Sequence, residues 1–112
     1  SMVQVGPSGT RLLEGVAYTQ TATFREACAV LSGCTAYVGT EGGLHHAAAA
    51  LGIPAVVLFG GFISPSSTGY AMHRNLFRGM ACGARLPCRH CREAMAAISV
   101  GEVASNLLEL IR

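Results

Sequence analysis

The stretch from Thr35 to Gly61, TAYVGTEGGLHHAAAALGIPAVVLFGG, constrains the fold more than any other part of the chain. Two apolar runs, Ala36-Tyr37-Val38 and Ala55-Val56-Val57-Leu58-Phe59, each lead into a glycine. Between them Leu44 to Leu51 is dominated by alanine, the best helix former. Gly52 and Pro54 supply a stop signal. Strand, glycine turn, helix and strand make a βαβ unit, in which parallel strands are joined by a right-handed helical crossover. Ala47 to Ala50 suit a helix pressed closely on a sheet. The unbroken apolar run Ala55 to Phe59 suits a strand buried on both faces. At the start of the helix, Gly42 and Gly43 permit a sharp turn and leave N–H groups free, which makes an anion-binding corner.

Composition limits what such a corner can do. The chain has no Lys and no Asp, so a lysine-dependent phosphate loop and an aspartate-based metal site are both excluded. Its 112 residues, 51% of them hydrophobic, suffice for one small core. A net charge of +2 with scattered Arg gives no nucleic-acid footprint. No apolar run is long enough to span a bilayer, and no signal-peptide pattern opens the chain. Five cysteines without a secretory signal favour reduced thiols in a cytoplasmic protein.

Around the central unit the pattern is plainer. Val3-Gln4-Val5-Gly6 and Val16-Ala17-Tyr18 read as short strands, with at most one helical turn over Arg11 to Gly15. Thr23 and Glu26 form a capping-box pattern for a helix from Phe24 to Ser32, with Phe24, Ala27, Cys28 and Leu31 on one face. Gly61 to Tyr70 is too rich in Ser, Gly and Pro for a regular element, but it leaves the C-terminal end of a parallel strand, where open α/β sheets place ligands. Asn75 to Arg78 reads as a strand, Cys82 to Cys91 as a loop, and Glu93 to Ala97 as a helical turn. Ser99 and Glu102 repeat the capping box before a closing helix with Val103, Leu107, Leu110 and Ile111 on its apolar face. The fold class expected is α/β, a three-layer arrangement with a parallel sheet of about four strands.

The residues Phe24-Arg25-Glu26, Tyr37-Val38-Gly39, Glu41 to Gly52, Pro54 and Phe59-Gly60 together resemble glycosyltransferase family 9, the family of the lipopolysaccharide heptosyltransferases. Its signature is an acidic residue, a small residue, Gly, two free positions and His before an Ala-rich helix, which Glu41, Gly42, Gly43 and His46 match in order. Glu41 and Gly42 stand where the family usually has Asp and Ser or Thr. The resemblance implies a Rossmann-like domain over residues 3–112, the C-terminal donor-binding part of a GT-B enzyme, with the acceptor domain and its general base absent. It implies transfer of a sugar, heptose in the named members, from a nucleotide-diphosphate donor to a glycan or lipopolysaccharide-type acceptor. The fragment is not expected to turn over alone. The partners implied are a nucleotide-sugar and, through the missing domain, a lipid-linked saccharide. No cofactor, nucleic acid or membrane span is expected. The location implied is cytoplasmic, the inner face of the membrane included.

The donor-binding residues implied are Glu41, Gly42, Gly43, Leu44 and His46, with Gly60, Gly61 and Tyr70 on the following loop. The backbone N–H groups of Gly42 and Gly43 are expected to meet the pyrophosphate, and His46 to stabilise the leaving diphosphate. The alternative for each is structural: a bare glycine turn, a packed histidine, a helix-start carboxylate at Glu41. His45, one helical step of about 100° away, reads as structural, and its removal is expected to do little to diphosphate binding. No divalent metal is expected for donor binding, because Glu41 is the only carboxylate near the corner. Cys88-Arg89-His90-Cys91 has the spacing of half a zinc site, with Cys82 or His90 as a third ligand. No second matched pair exists, and free thiols in a loop are the plainer account. The functional alternatives are a donor-binding enzyme domain, a non-catalytic nucleotide- or anion-binding module, and a zinc-stabilised interaction module.

Overall fold

A computed structural model describes residues 1–79, 82, 86 and 88–112. It divides into two compact units, Ser1–Cys34 and Thr35–Arg112.

In the first unit, β1 (Val3–Gly6) and β2 (Ala17–Gln20) pair in parallel, Val3 opposite Ala17 and Gly6 opposite Gln20. Parallel neighbours usually need a helical crossover, yet here the connection is a loop with no helical turn, within the expectation of at most one. Two side chains pin it. The Gln4 amide donates to the Arg11 carbonyl at 2.8 Å and accepts from the Leu13 N–H at 2.9 Å. The Tyr18 hydroxyl lies 2.8 Å from the Gly6 carbonyl and 2.9 Å from that of Pro7. Helix α1 (Phe24–Ser32) has the predicted bounds. Thr23 accepts from the Glu26 N–H at 3.1 Å, but the Glu26 carboxylate reaches back to the Ala22 N–H, one residue beyond the expected cap. Ala27 and Leu31 are buried, whereas Phe24 is 58% exposed.

The second unit contains β3 (Tyr37–Thr40), α2 (Gly43–Ala50), β4 (Ala55–Phe59), α3 (Pro65–Thr68), β5 (Arg74–Phe77), α4 (Arg89–Ala96) and α5 (Val100–Ile111). Its sheet is parallel, in the order β3-β4-β5, with Val38 opposite Val56 and Val56 opposite Arg74. The sheet of about four strands is therefore a sheet of three, with a separate pair in the first unit. Strand β4 lies in the middle, and Ala55, Val56, Val57 and Phe59 are fully buried. Successive side chains of a strand point to opposite faces. Val56 packs with Leu76 and Ile98 against Met95 of α4 and Val103, Leu107 and Leu110 of α5. Phe59, of the other parity, meets the ring of His45 on α2 at a centroid distance of 5.9 Å. Helices thus cover both faces of this sheet, giving three layers within the unit.

Several local expectations shift. The loop after β4 contains a single helical turn, because Ser64 caps it at 3.1 Å from the Ser66 N–H and Pro65 opens it. Helix α4 begins at Arg89 rather than Glu93, because the Cys88 sulfur takes the N-cap and accepts from the Cys91 N–H at 3.4 Å. The rest of the expected Cys82–Cys91 loop lies largely outside the described residues. Ser99 caps α5 at 3.1 Å from the Glu102 N–H, but the Glu102 carboxylate completes no box; it pairs with Arg78. Ile111, expected on the apolar face, is 46% exposed.

Leu76 joins β5 to the core shared with α4 and α5, so its truncation tests that packing. Leu76→Ala is expected to cost about 2–5 kcal/mol in urea unfolding, the range for a buried leucine that leaves a cavity. A loss below about 1 kcal/mol would mean that the sheet and α5 do not share one core.

Candidate functional site

Strand β3 ends at Thr40, and the Glu41 N–H still donates to the Leu58 carbonyl at 3.0 Å. This leaves Gly42 to turn the chain into α2. Gly42 has φ 158° and ψ −166°, a region nearly confined to glycine. No atom within 4 Å obstructs an added Cβ there, so the requirement for glycine is one of backbone conformation. Helix α2 thus starts at the C-terminal end of a parallel strand, with an N-cap glycine that has no side chain to offer its first turn. The first N–H groups of a helix have no partner within it.

The two adjacent histidines divide the work at this turn. His45 is fully buried. Its Nδ1 accepts from the Gly42 N–H at 3.0 Å, so its proton sits on Nε2, which donates to the Thr68 carbonyl at 2.8 Å. His45 is a strut between the turn and α3, which agrees with a structural role. The same bond engages internally the Gly42 N–H expected to meet a ligand, and Gly43 and Leu44 carry the next N–H groups of the helix start, which have no partner within the helix. His46 is exposed. Its Nδ1 lies 2.6 Å from the Tyr70 hydroxyl, which fixes the ring and leaves Nε2 for a ligand. Tyr70 is held in turn by its carbonyl, which accepts from the Asn75 amide at 3.1 Å and the His73 N–H at 3.0 Å.

Glu41 converges on the same place: ligand atoms of Glu41, His45 and His46 lie within 4.8 Å of one another. Both ring nitrogens of His45 are already bonded, so Glu41 and His46 are what remains for a cation or a polar ligand. Glu41, Gly42, Gly43, Leu44, His46 and Tyr70 are thus brought together. Gly60 and Gly61 face another neighbourhood. A Cβ on Gly60 would meet Met95 at 3.8 Å, and one on Gly61 would come within 2.6 Å of the His90 ring. Their space is shared with α4.

Sequence reasoning saw His73 only as a spare histidine near the cysteines and missed its place beside His45 and Tyr70. It is buried behind Tyr70 and His45, with ring centroids 5.5 and 6.2 Å away. Burial pushes its pKa below the ordinary histidine value, opposed in part by the bond between its Nε2 and the Ile53 carbonyl at 3.3 Å. Nothing in Met72-His73-Arg74 distinguishes it from a surface histidine, since the cause is the position of β5.

A model of the glycosyltransferase family 9 (heptosyltransferase) matches residues 14–98 of the chain. No curated protein and no solved structure matches it.

Two outcomes follow from the histidines. His45→Ala empties a buried site and leaves the half-buried Gly42 N–H and Thr68 carbonyl without their ring partner, and should cost roughly 2–4 kcal/mol in chemical unfolding. A buried histidine whose folded pKa is lowered binds its proton more readily when unfolded, so its contribution is intact above the unfolded value of 6.5 and is lost as pH falls below it. The melting temperature should therefore decline from about pH 6.5 downward, and His73→Gln should flatten that decline. An equal slope in the variant would assign the pH dependence to other groups.

Proposed function

The chain belongs to glycosyltransferase family 9, and on that premise we propose that it holds the nucleotide-diphosphate sugar of a glycosyltransferase, with the pyrophosphate over the start of α2. The glycine-led helix start at the end of β3, flanked by the His46–Tyr70 pair, carries this reading. A helix N-terminus favours an adjacent anion by about 0.3–1 kcal/mol, more when partly buried. Bonds from N–H groups to a charged acceptor contribute roughly 1.5–3 kcal/mol. In this reading Gly43 and Leu44 supply those N–H groups. His46, its Nδ1 held by Tyr70, presents Nε2 to the diphosphate, where it stabilises charge that grows as the glycosidic bond breaks. Glu41 faces the sugar hydroxyls. No divalent ion is invoked, since one free carboxylate is a poor magnesium site. The transferred sugar is a heptose, and the acceptor is a lipopolysaccharide-type saccharide presented by a further domain at the inner face of the membrane.

Calorimetric titration of a nucleoside diphosphate tests the binding step. His46→Ala should weaken binding about tenfold, or about 1.4 kcal/mol, and Tyr70→Phe should weaken it less. Gly42→Val should abolish binding by forcing the turn out of its conformation, and added magnesium should leave the affinity unchanged. Undiminished affinity in both His46→Ala and Gly42→Val would remove the diphosphate from this corner. Diphosphate binding without sugar transfer by the complete enzyme would instead favour a non-catalytic nucleotide-binding module.

A further inference from the structure

The segment after β5 and the start of α4 bring together Cys82, Cys88, His90 and Cys91, whose ligand atoms lie within 4.8 Å of one another. The three sulfurs are 3.3, 3.4 and 3.9 Å apart. None of these separations is a disulfide, which needs about 2.05 Å between sulfurs. A zinc ion bound tetrahedrally at about 2.3 Å from each thiolate would place the sulfurs about 3.8 Å apart. The observed triangle is thus close to one face of such a tetrahedron. We propose that Cys82, Cys88, Cys91 and His90 form a closed, structural Zn(II) site, with the imidazole at the fourth vertex.

Two features of the surroundings support a built site. Gly61 and Gly79 flank the His90 ring, and a Cβ on either would approach it to 2.6 or 3.1 Å, so both loops leave room for the imidazole. The Cys82 N–H donates to the Gly61 carbonyl at 2.7 Å, fixing the distant cysteine against the β4 loop. The remaining cysteines, Cys28 and Cys34, lie in the first unit. Binding replaces three S–H bonds with three Zn–S bonds and releases three protons, with His90 entering neutral. Four protein ligands leave no open position for substrate, so the ion ties Cys82, after β5, to the start of α4 and takes no part in catalysis.

The test is zinc titration of the reduced chain, with metal analysis after desalting and a cobalt-loaded sample for spectroscopy. One equivalent of zinc is expected, with a tetrahedral cobalt spectrum carrying thiolate charge-transfer bands. Cys82→Ser and Cys88→Ser should each lower zinc affinity at least a hundredfold, and Cys28→Ser and Cys34→Ser should not change it. Gly61→Ala, which displaces His90, should alter the cobalt spectrum while the thiolate bands remain. Less than a tenth of an equivalent of zinc in the intact chain would overturn the site even if the serine variants failed to fold. Affinity unaffected by Cys82→Ser and Cys88→Ser would overturn the ligand set, and one equivalent of iron bound in preference to zinc would overturn the identity of the ion.

Discussion

Strand β4 has almost no surface of its own. It is paired on one edge with β3 and on the other with β5, and helices cover both faces. Four of its five residues are fully buried, so it can hold only apolar side chains and only a parallel register that satisfies its backbone. The C-terminal ends of the three strands then emerge on one side, and the chain has to turn there. The Glu41–Gly43 corner, the α3 loop and the segment leading to the cysteines all descend from that constraint.

The βαβ unit was legible because it is local. An alanine-rich helix between two apolar runs, with Gly52 and Pro54 at its end, leaves few alternatives, and α2, β3 and β4 occupy the expected places. Helix α1 was equally clear from Thr23 and Glu26. Elements whose form depends on distant partners were less visible. Both capping boxes are incomplete: Glu26 reaches Ala22, and Glu102 is drawn away by Arg78. The start of α4 was missed because a cysteine is a rare cap. The β1–β2 crossover lacks a helix because the Gln4 amide and the Tyr18 hydroxyl bond the loop directly, which no local propensity indicates.

At the candidate site, the motif singled out the turn between β3 and α2 and did not reveal the bond that occupies the Gly42 N–H. His45 and His46 differ by one position, and helical spacing correctly sent one inward and one outward. What spacing could not show was that the inward ring would take up the Gly42 N–H, a donor otherwise free for a ligand. The two histidines therefore form a pair in which the buried one shapes the backbone and the exposed one, steadied by Tyr70, meets solvent.

The order β3-β4-β5 has a kinetic consequence. Each strand joins the sheet beside the one that precedes it in the chain, so no strand has to insert between two already paired. The sheet can grow by accretion, one crossover at a time. Loop-closure entropy then enters in small instalments rather than as one long-range search. The helix that seals the second face, α5, comes last in the chain. Until it docks, Val56 and Leu76 remain open on one side, and the transient species at greatest risk of aggregation is a finished sheet awaiting its final helix.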